Sequence, residues 1–221
     1  MDLFDRLKDA ASAEWQAYVG HRFVAGLGDG TLPEESFRHY LVQDYLFLIQ
    51  FARAYALAAY KAPTLADMRT AAAGLSAIAD TEMDLHVRLS ARWGLSAQDL
   101  ETATEARATV AYTRFVLDTG HRGDLLDLYT ALAPCMLGYA EIGTALAKVP
   151  GALADANPYR EWVAEYSGDG FQEAAQSARA MLDRLAADRL TEARWRDLVT
   201  IFATATRLEA DFWEMGLTRA Q

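Results

Sequence analysis

The chain has 221 residues and a formal net charge of −10 at pH 7. That length suits one sizeable domain burying roughly 70% of the surface its unfolded chain exposes, and a negative surface repels phosphate backbones, which argues against nucleic acid as a partner. The start, Met1-Asp2-Leu3-Phe4-Asp5-Arg6, lacks the basic opening and apolar core of a signal peptide, and charges interrupt every apolar run well before a membrane span, so a cytoplasmic protein with no membrane partner is expected.

Alanine and leucine abound, prolines number only five, and no segment alternates β-branched residues, so the class is all-α. Helical patterns run over 2–18, 34–60, 65–93, 104–119, 123–148, 158–166, 170–186 and 191–217, which predicts seven or eight helices packed in a single unit over residues 1–221. Thr64 with Asp67 and Ser96 with Asp99 have the spacing of helix starts, an oxygen capping free N–H groups with an acid in the first turn. Gly94 and Gly120 stand where helices are expected to stop.

Polar residues at the centre of apolar stripes carry the functional signal, because burying a polar group without a partner costs several kcal/mol. In 34–60, Phe37, Tyr40, Leu41, Leu48 and Phe51 share one face, and Asp44 sits at its middle. In 65–93, Glu82 is flanked by Leu75, Ile78, Leu85, Leu89 and Trp93, with His86 one turn further on. Cys135 is centred among Leu128, Leu132, Tyr139, Ile142 and Leu146, and Glu209 among Phe202, Ala205, Phe212 and Trp213. Each also has a plain structural reading. A lone buried cysteine commonly packs as a small hydrophobe, and an inward acid serves as a cross-brace to a Tyr, Trp or Arg. Two carboxyl groups facing one cavity would instead raise at least one pKa and yield an acid/base group for neutral pH.

Cys135 is the only cysteine, which leaves it to packing or to chemistry. It lies about three turns beyond the helix start near Gly123, too far in for the helix dipole to lower its pKa, so any activation must come from a tertiary neighbour. Glu82 and His86 are read as structural, since at i,i+4 they satisfy each other. A di-iron bundle site wants Glu-x-x-His on two helices, whereas this chain has Glu-x-x-x-His once, so no metal is expected. His21, His39 and His121 fall near helix ends or loops and are read as surface residues. Tyr45, Phe47, Tyr112, Tyr139, Tyr159, Trp162 and Tyr166 cluster around the buried polar positions. Tyr159 and Trp162 are assigned to the core, while converging phenols would suit a flat heterocycle that stacks and hydrogen-bonds.

Five segments in order resemble the TenA or thiaminase II family: Gln43-Asp44-Tyr45-Leu46-Phe47; Ala111-Tyr112-Thr113; Pro134-Cys135-Met136-Leu137-Gly138-Tyr139-Ala140-Glu141-Ile142-Gly143; Asn157-Pro158-Tyr159 with Trp162 and Tyr166-Ser167; and Glu209-Ala210-Asp211-Phe212-Trp213-Glu214-Met215. The resemblance covers essentially the whole chain. It implies a haem-oxygenase-like helical bundle without haem or other cofactor, assembly as a homotetramer, and hydrolysis of aminopyrimidines derived from thiamin, or of thiamin itself. By position it implies Cys135 as nucleophile, Glu209 as acid/base and Asp44 as the group holding the pyrimidine's amidine edge. Tyr112, Tyr139, Tyr166 and Phe47 complete the substrate pocket. Thiolate addition to the ring, helped by protonation of a ring nitrogen, would expel the leaving group from the exocyclic methylene, to which water then adds. The carboxylates would supply the activation that the helix does not. Phe47 stands where some members have a tyrosine, and Leu208 precedes Glu209 where a tyrosine is more frequent. The alternatives are a non-catalytic pyrimidine carrier or sensor, in line with the family's transcriptional-activator label, and a metal-dependent oxidase on the same scaffold.

Overall fold

The computed structural model describes residues 2–221, apart from the side chains of Thr81 and Leu85. Every regular element among them is a helix. The chain opens with α1 (Leu3–Ala10), α2 (Ser12–Val19), α3 (Arg22–Asp29) and the long α4 (Glu34–Lys61). α5 (Leu65–Ser76) passes through a π-helical segment, Ala77–Glu82, into α6 (Met83–Arg92). α7 (Ala97–Thr102), α8 (Arg107–Arg122), α9 (Leu125–Leu146), α10 (Arg160–Ser167), α11 (Asp169–Arg189) and α12 (Glu192–Thr218) follow.

Counting the rod from α5 to α6 once, the described residues form eleven helices, more than the seven or eight expected. Local chemistry accounts for the excess. The pattern over 2–18 breaks at Ala11, whose φ of −118° and ψ of 36° leave the helical region. α3 starts where the His21 ring nitrogen accepts from the Phe23 N–H at 3.2 Å, and stops at Gly30, whose φ of 77° favours glycine. α7 grows from the Ser96–Asp99 capping box. Thr64 caps α5 as expected, accepting from the Asp67 N–H at 3.1 Å. Gly120 does not end its helix. α8 runs on to Arg122, and the glycine instead admits Leu57 and Leu128 against the backbone, where a Cβ would crowd both.

α4, α8, α9 and α12 form the central bundle, with α4 on α8, α8 on α9, α9 on α12 and α12 back on α4. α10 and α11 cover α9, the first three helices lie along α12, and the α5–α6 rod lies along α4. Trp15, Trp162 and Trp213 are fully buried among these layers, Trp213 stacked between Tyr18 and Phe23. Truncating one such ring to alanine costs roughly 3–5 kcal/mol. No helix among the described residues is long and apolar enough to cross a membrane. The inward stripes fall where the periodicity put them, and Asp44 and Glu209 are buried with them.

Candidate active site

Asp44 enters the bundle from the middle of α4, one turn after Tyr40. The Tyr40 hydroxyl donates to Asp44 Oδ2 at 3.0 Å, and the indole N–H of Trp162 donates to that hydroxyl at 3.1 Å. His86 reaches the same oxygen with Nε2 at 2.5 Å, while its Nδ1 lies 3.2 Å from the backbone oxygen of Glu82. Both ring nitrogens therefore face acceptors, which only an imidazolium satisfies. Burial pulls the His86 pKa down, but the Asp44 charge and hydrogen bond, with Glu82 behind them, outweigh it and raise the value. The pairing of His86 with the Glu82 side chain expected from i,i+4 spacing does not form. His86 crosses to α4 instead, and the Glu82 carboxyl turns to the cavity that Cys135 also lines. Leu85, placed in the same stripe, has its side chain outside the described residues.

Glu209, on α12, is 1% exposed. The Tyr112 hydroxyl of α8 donates to its Oε1 at 2.8 Å. Burial, reinforced by the Asp44 charge and only partly offset by that hydrogen bond, pushes the carboxyl up to about 8. It is a protonated acid at neutral pH.

Cys135 is half-buried on α9. Pro134 precedes it inside the helix and has no N–H to give the backbone ladder. The Tyr18 hydroxyl donates to the Pro134 carbonyl at 3.2 Å. Its ring lies on Gly138, where a Cβ would collide with it, so Tyr18 clamps the turn that carries the thiol. Burial, then the charges of Glu209, Glu82 and Asp44, push the Cys135 thiol well above its ordinary range. The neighbouring acids thus favour the thiol over the thiolate. The activation expected from the carboxylates therefore does not take the form of a lowered thiol pKa.

Asp44, Phe47, Glu82, Cys135, Tyr139 and Tyr166 line one inner pocket, with Leu48, Phe51, Met136 and Phe171. It is nearly closed, at about 10 Å³, room for about one water. Met136 and Phe171 stand on its wall. Beyond those two residues lies an outer chamber of about 680 Å³. Phe47 packs on Tyr112 and Phe212 at centroid distances of 5.0 and 5.6 Å, and Tyr139 meets Tyr166 edge-on at 4.9 Å. Neither Glu209 nor Tyr112 lines this pocket; the Tyr112 hydroxyl turns to the buried Glu209 carboxyl instead. Tyr45 is only half-buried and turns away from the pocket, because it lies one residue round α4 from Asp44. Tyr159 and Trp162 are core, Tyr159 donating to the Leu32 carbonyl. Sequence reasoning missed Tyr18, Tyr40, Glu82, His86, Met136 and Phe171 as parts of the site. Glu82 and His86 were signalled by their place in an apolar stripe but read as structural, and Tyr40 was signalled by its i,i+4 spacing to Asp44; Tyr18, Met136 and Phe171 depend on which helices meet.

A family model described as TENA/THI-4/PQQC matches residues 8–219. The aminopyrimidine aminohydrolase of Halalkalibacterium halodurans is 42% identical to this chain, over 95% of the chain and 93% of the relative. A crystal structure from Silicibacter, described as a TenA family transcription regulator, is 44% identical with a TM-score of 0.93, covering 97% of this chain and 96% of that one. A Shewanella denitrificans domain described as having a heme oxygenase-like fold reaches a TM-score of 0.76 at 13% identity, over 99% of this chain and 93% of that one. That last likeness bears on fold alone. With matches that run through all five motif segments and nearly the whole bundle, the chain belongs to the TENA/THI-4/PQQC family.

Proposed function

We propose that this protein is an aminopyrimidine aminohydrolase of thiamin salvage, which hydrolyses 4-amino-5-aminomethyl-2-methylpyrimidine to the hydroxymethylpyrimidine with Cys135 as nucleophile. The reading is carried by the convergence of the Cys135 thiol and the Asp44 and Glu82 carboxyl groups on one pocket, in a chain similar to an aminohydrolase along its length. Asp44, with Oδ2 committed to Tyr40 and His86, offers Oδ1 to the amidine edge of the ring. Phe47, Tyr139 and Tyr166 bracket the heterocycle. Glu209, steered by Tyr112, gives its proton to a ring nitrogen and takes the proton of Cys135 as sulfur bonds to ring carbon, so the thiol adds across the ring with no preformed thiolate. Electron density in the adduct then expels the amine from the methylene, water adds there, and the thiol departs. Assembly as a cytoplasmic homotetramer, with thiamin as a second substrate, belongs to the same proposal.

Incubation with the aminomethylpyrimidine tests it: hydroxymethyl product should accumulate with wild type. Cys135→Ser should bind substrate with unchanged affinity and form product at least about 10³-fold more slowly. Tight binding without product from wild type would point to a carrier or sensor instead.

A further inference from the structure

The inner pocket and the outer chamber meet at a neck made by three residues that line both, Glu82, Met136 and Phe171. Glu82 alone of the three is ionisable. It closes the π-helical segment Ala77–Glu82, a rare element that is frequent at functional sites. With His86 committed to Asp44, the Glu82 carboxyl is left to face the cavities. Around it stand the Asp44 and Glu165 carboxyl groups, the His86 imidazolium and the Tyr166 hydroxyl, with the Cys135 thiol across the inner pocket. Burial and the two neighbouring acids outweigh His86 and Tyr166 and hold Glu82 at about 7. It therefore gives or takes a proton with equal ease at neutral pH.

Cys135 and Asp44 both line the inner pocket, so the neck is the way from a ring held by them to the outer chamber. We propose that Glu82 is the acid that releases the leaving group, protonating the amine nitrogen as the exocyclic C–N bond breaks, and that the amine departs through the outer chamber. The inference rests on the aminohydrolase reading. The C–N electron pair goes to nitrogen, which takes the Glu82 proton and leaves as ammonia. The water that adds to the methylene keeps one hydrogen as hydroxyl and returns the other to the Glu82 carboxylate, which ends as it began. At about 680 Å³ the outer chamber is of small-molecule size, so it admits leaving groups that carry an acyl or heteroaromatic substituent on the departing nitrogen.

Glu82→Gln keeps the side-chain shape and removes the proton. Against 4-amino-5-aminomethyl-2-methylpyrimidine the variant should lose about 10²–10³-fold in kcat. Against thiamin, whose thiazolium nitrogen accepts the electron pair and needs no proton, the loss should stay below about tenfold. Wild-type kcat on the aminomethyl compound should fall as pH rises through about 7. Glu82→Gln should lose that limb and keep only the one belonging to Glu209, near 8. Unchanged circular dichroism and substrate affinity would show that the variant is folded. Equal losses on the two substrates, or a wild-type pH profile in the variant, would overturn the role of Glu82 while leaving the aminohydrolase reading intact. If thiamin is not turned over by wild type, the pH profile decides. A wild type that hydrolyses no aminomethylpyrimidine overturns both.

Discussion

Asp44 and Glu209 are buried alike, at 4% and 1% exposure, yet they enter the core in different states. Asp44 shares Oδ2 with the His86 imidazolium and the Tyr40 phenol, so the acid and the cation are buried together as a compensated pair. Glu209 has a phenol alone, Tyr112, and burial pushes it up to about 8. The partner, more than the depth, decides whether a carboxyl serves as a fixed anchor or as a proton donor. In the proposed mechanism Asp44, on the wall of the inner pocket, orients the basic ring, and Glu209, buried beside Tyr112, protonates it.

Removing one member of the Asp44 pair should produce the largest change. Asp44→Asn strands the His86 cation in the bundle, and stability measured by denaturant should fall by about 3–5 kcal/mol. A second substitution, His86→Asn, should restore part of that loss, whereas additive losses would dissolve the pairing argument. Glu209→Gln leaves no cation behind, so its main effect is catalytic, about 10²–10³-fold in kcat for the aminomethyl substrate.

The same variant sharpens the contrast through pH. In the unfolded chain Glu209 ionises near 4.5, while in the fold it holds its proton to about 8. Between those values the folded state binds more protons, so stability declines as pH rises. Glu82, raised to about 7, acts in the same direction, and His86, also raised, loses its stabilising charge as pH climbs past its folded value. The melting temperature should therefore drop from pH 5 to pH 8, and Glu209→Gln should drop less; a steeper decline in the variant would contradict the assignment. The smallest effect belongs to Phe47→Tyr, which adds a hydroxyl at the pocket wall. Stability should change by about 1 kcal/mol or less, with a shift of less than tenfold in kcat/KM between aminomethylpyrimidine and thiamin.

Much of this was legible in the sequence. The helix-period stripes placed Asp44, Glu82, Cys135 and Glu209 on inward faces, and all four are where periodicity put them relative to their own helices. What periodicity does not encode is the angular phase between helices. The i,i+4 spacing of Glu82 and His86 suggested mutual satisfaction, but the π segment and the approach of α4 gave His86 a better partner in Asp44. Tyr18 was invisible for the same reason: its clamp on Pro134 spans α2 and α9, and only Gly138, small enough to receive the ring, hinted at a close contact. The short helices α3 and α7 fell below the length at which an apolar stripe is distinctive.

The proposed mechanism turns on a mid-helix cysteine whose pKa is held well above the ordinary thiol range, so that the thiol gives up its proton only as it attacks. Because Cys135 is the sole cysteine, the ultraviolet absorbance of its thiolate, taken as the difference between wild type and Cys135→Ser across pH, reads its titration directly. The account predicts a pKa well above the ordinary thiol range that moves down in Glu209→Gln, where one neighbouring acid has lost its charge. A thiolate already formed at neutral pH, or a titration that Glu209→Gln leaves unmoved, would contradict it.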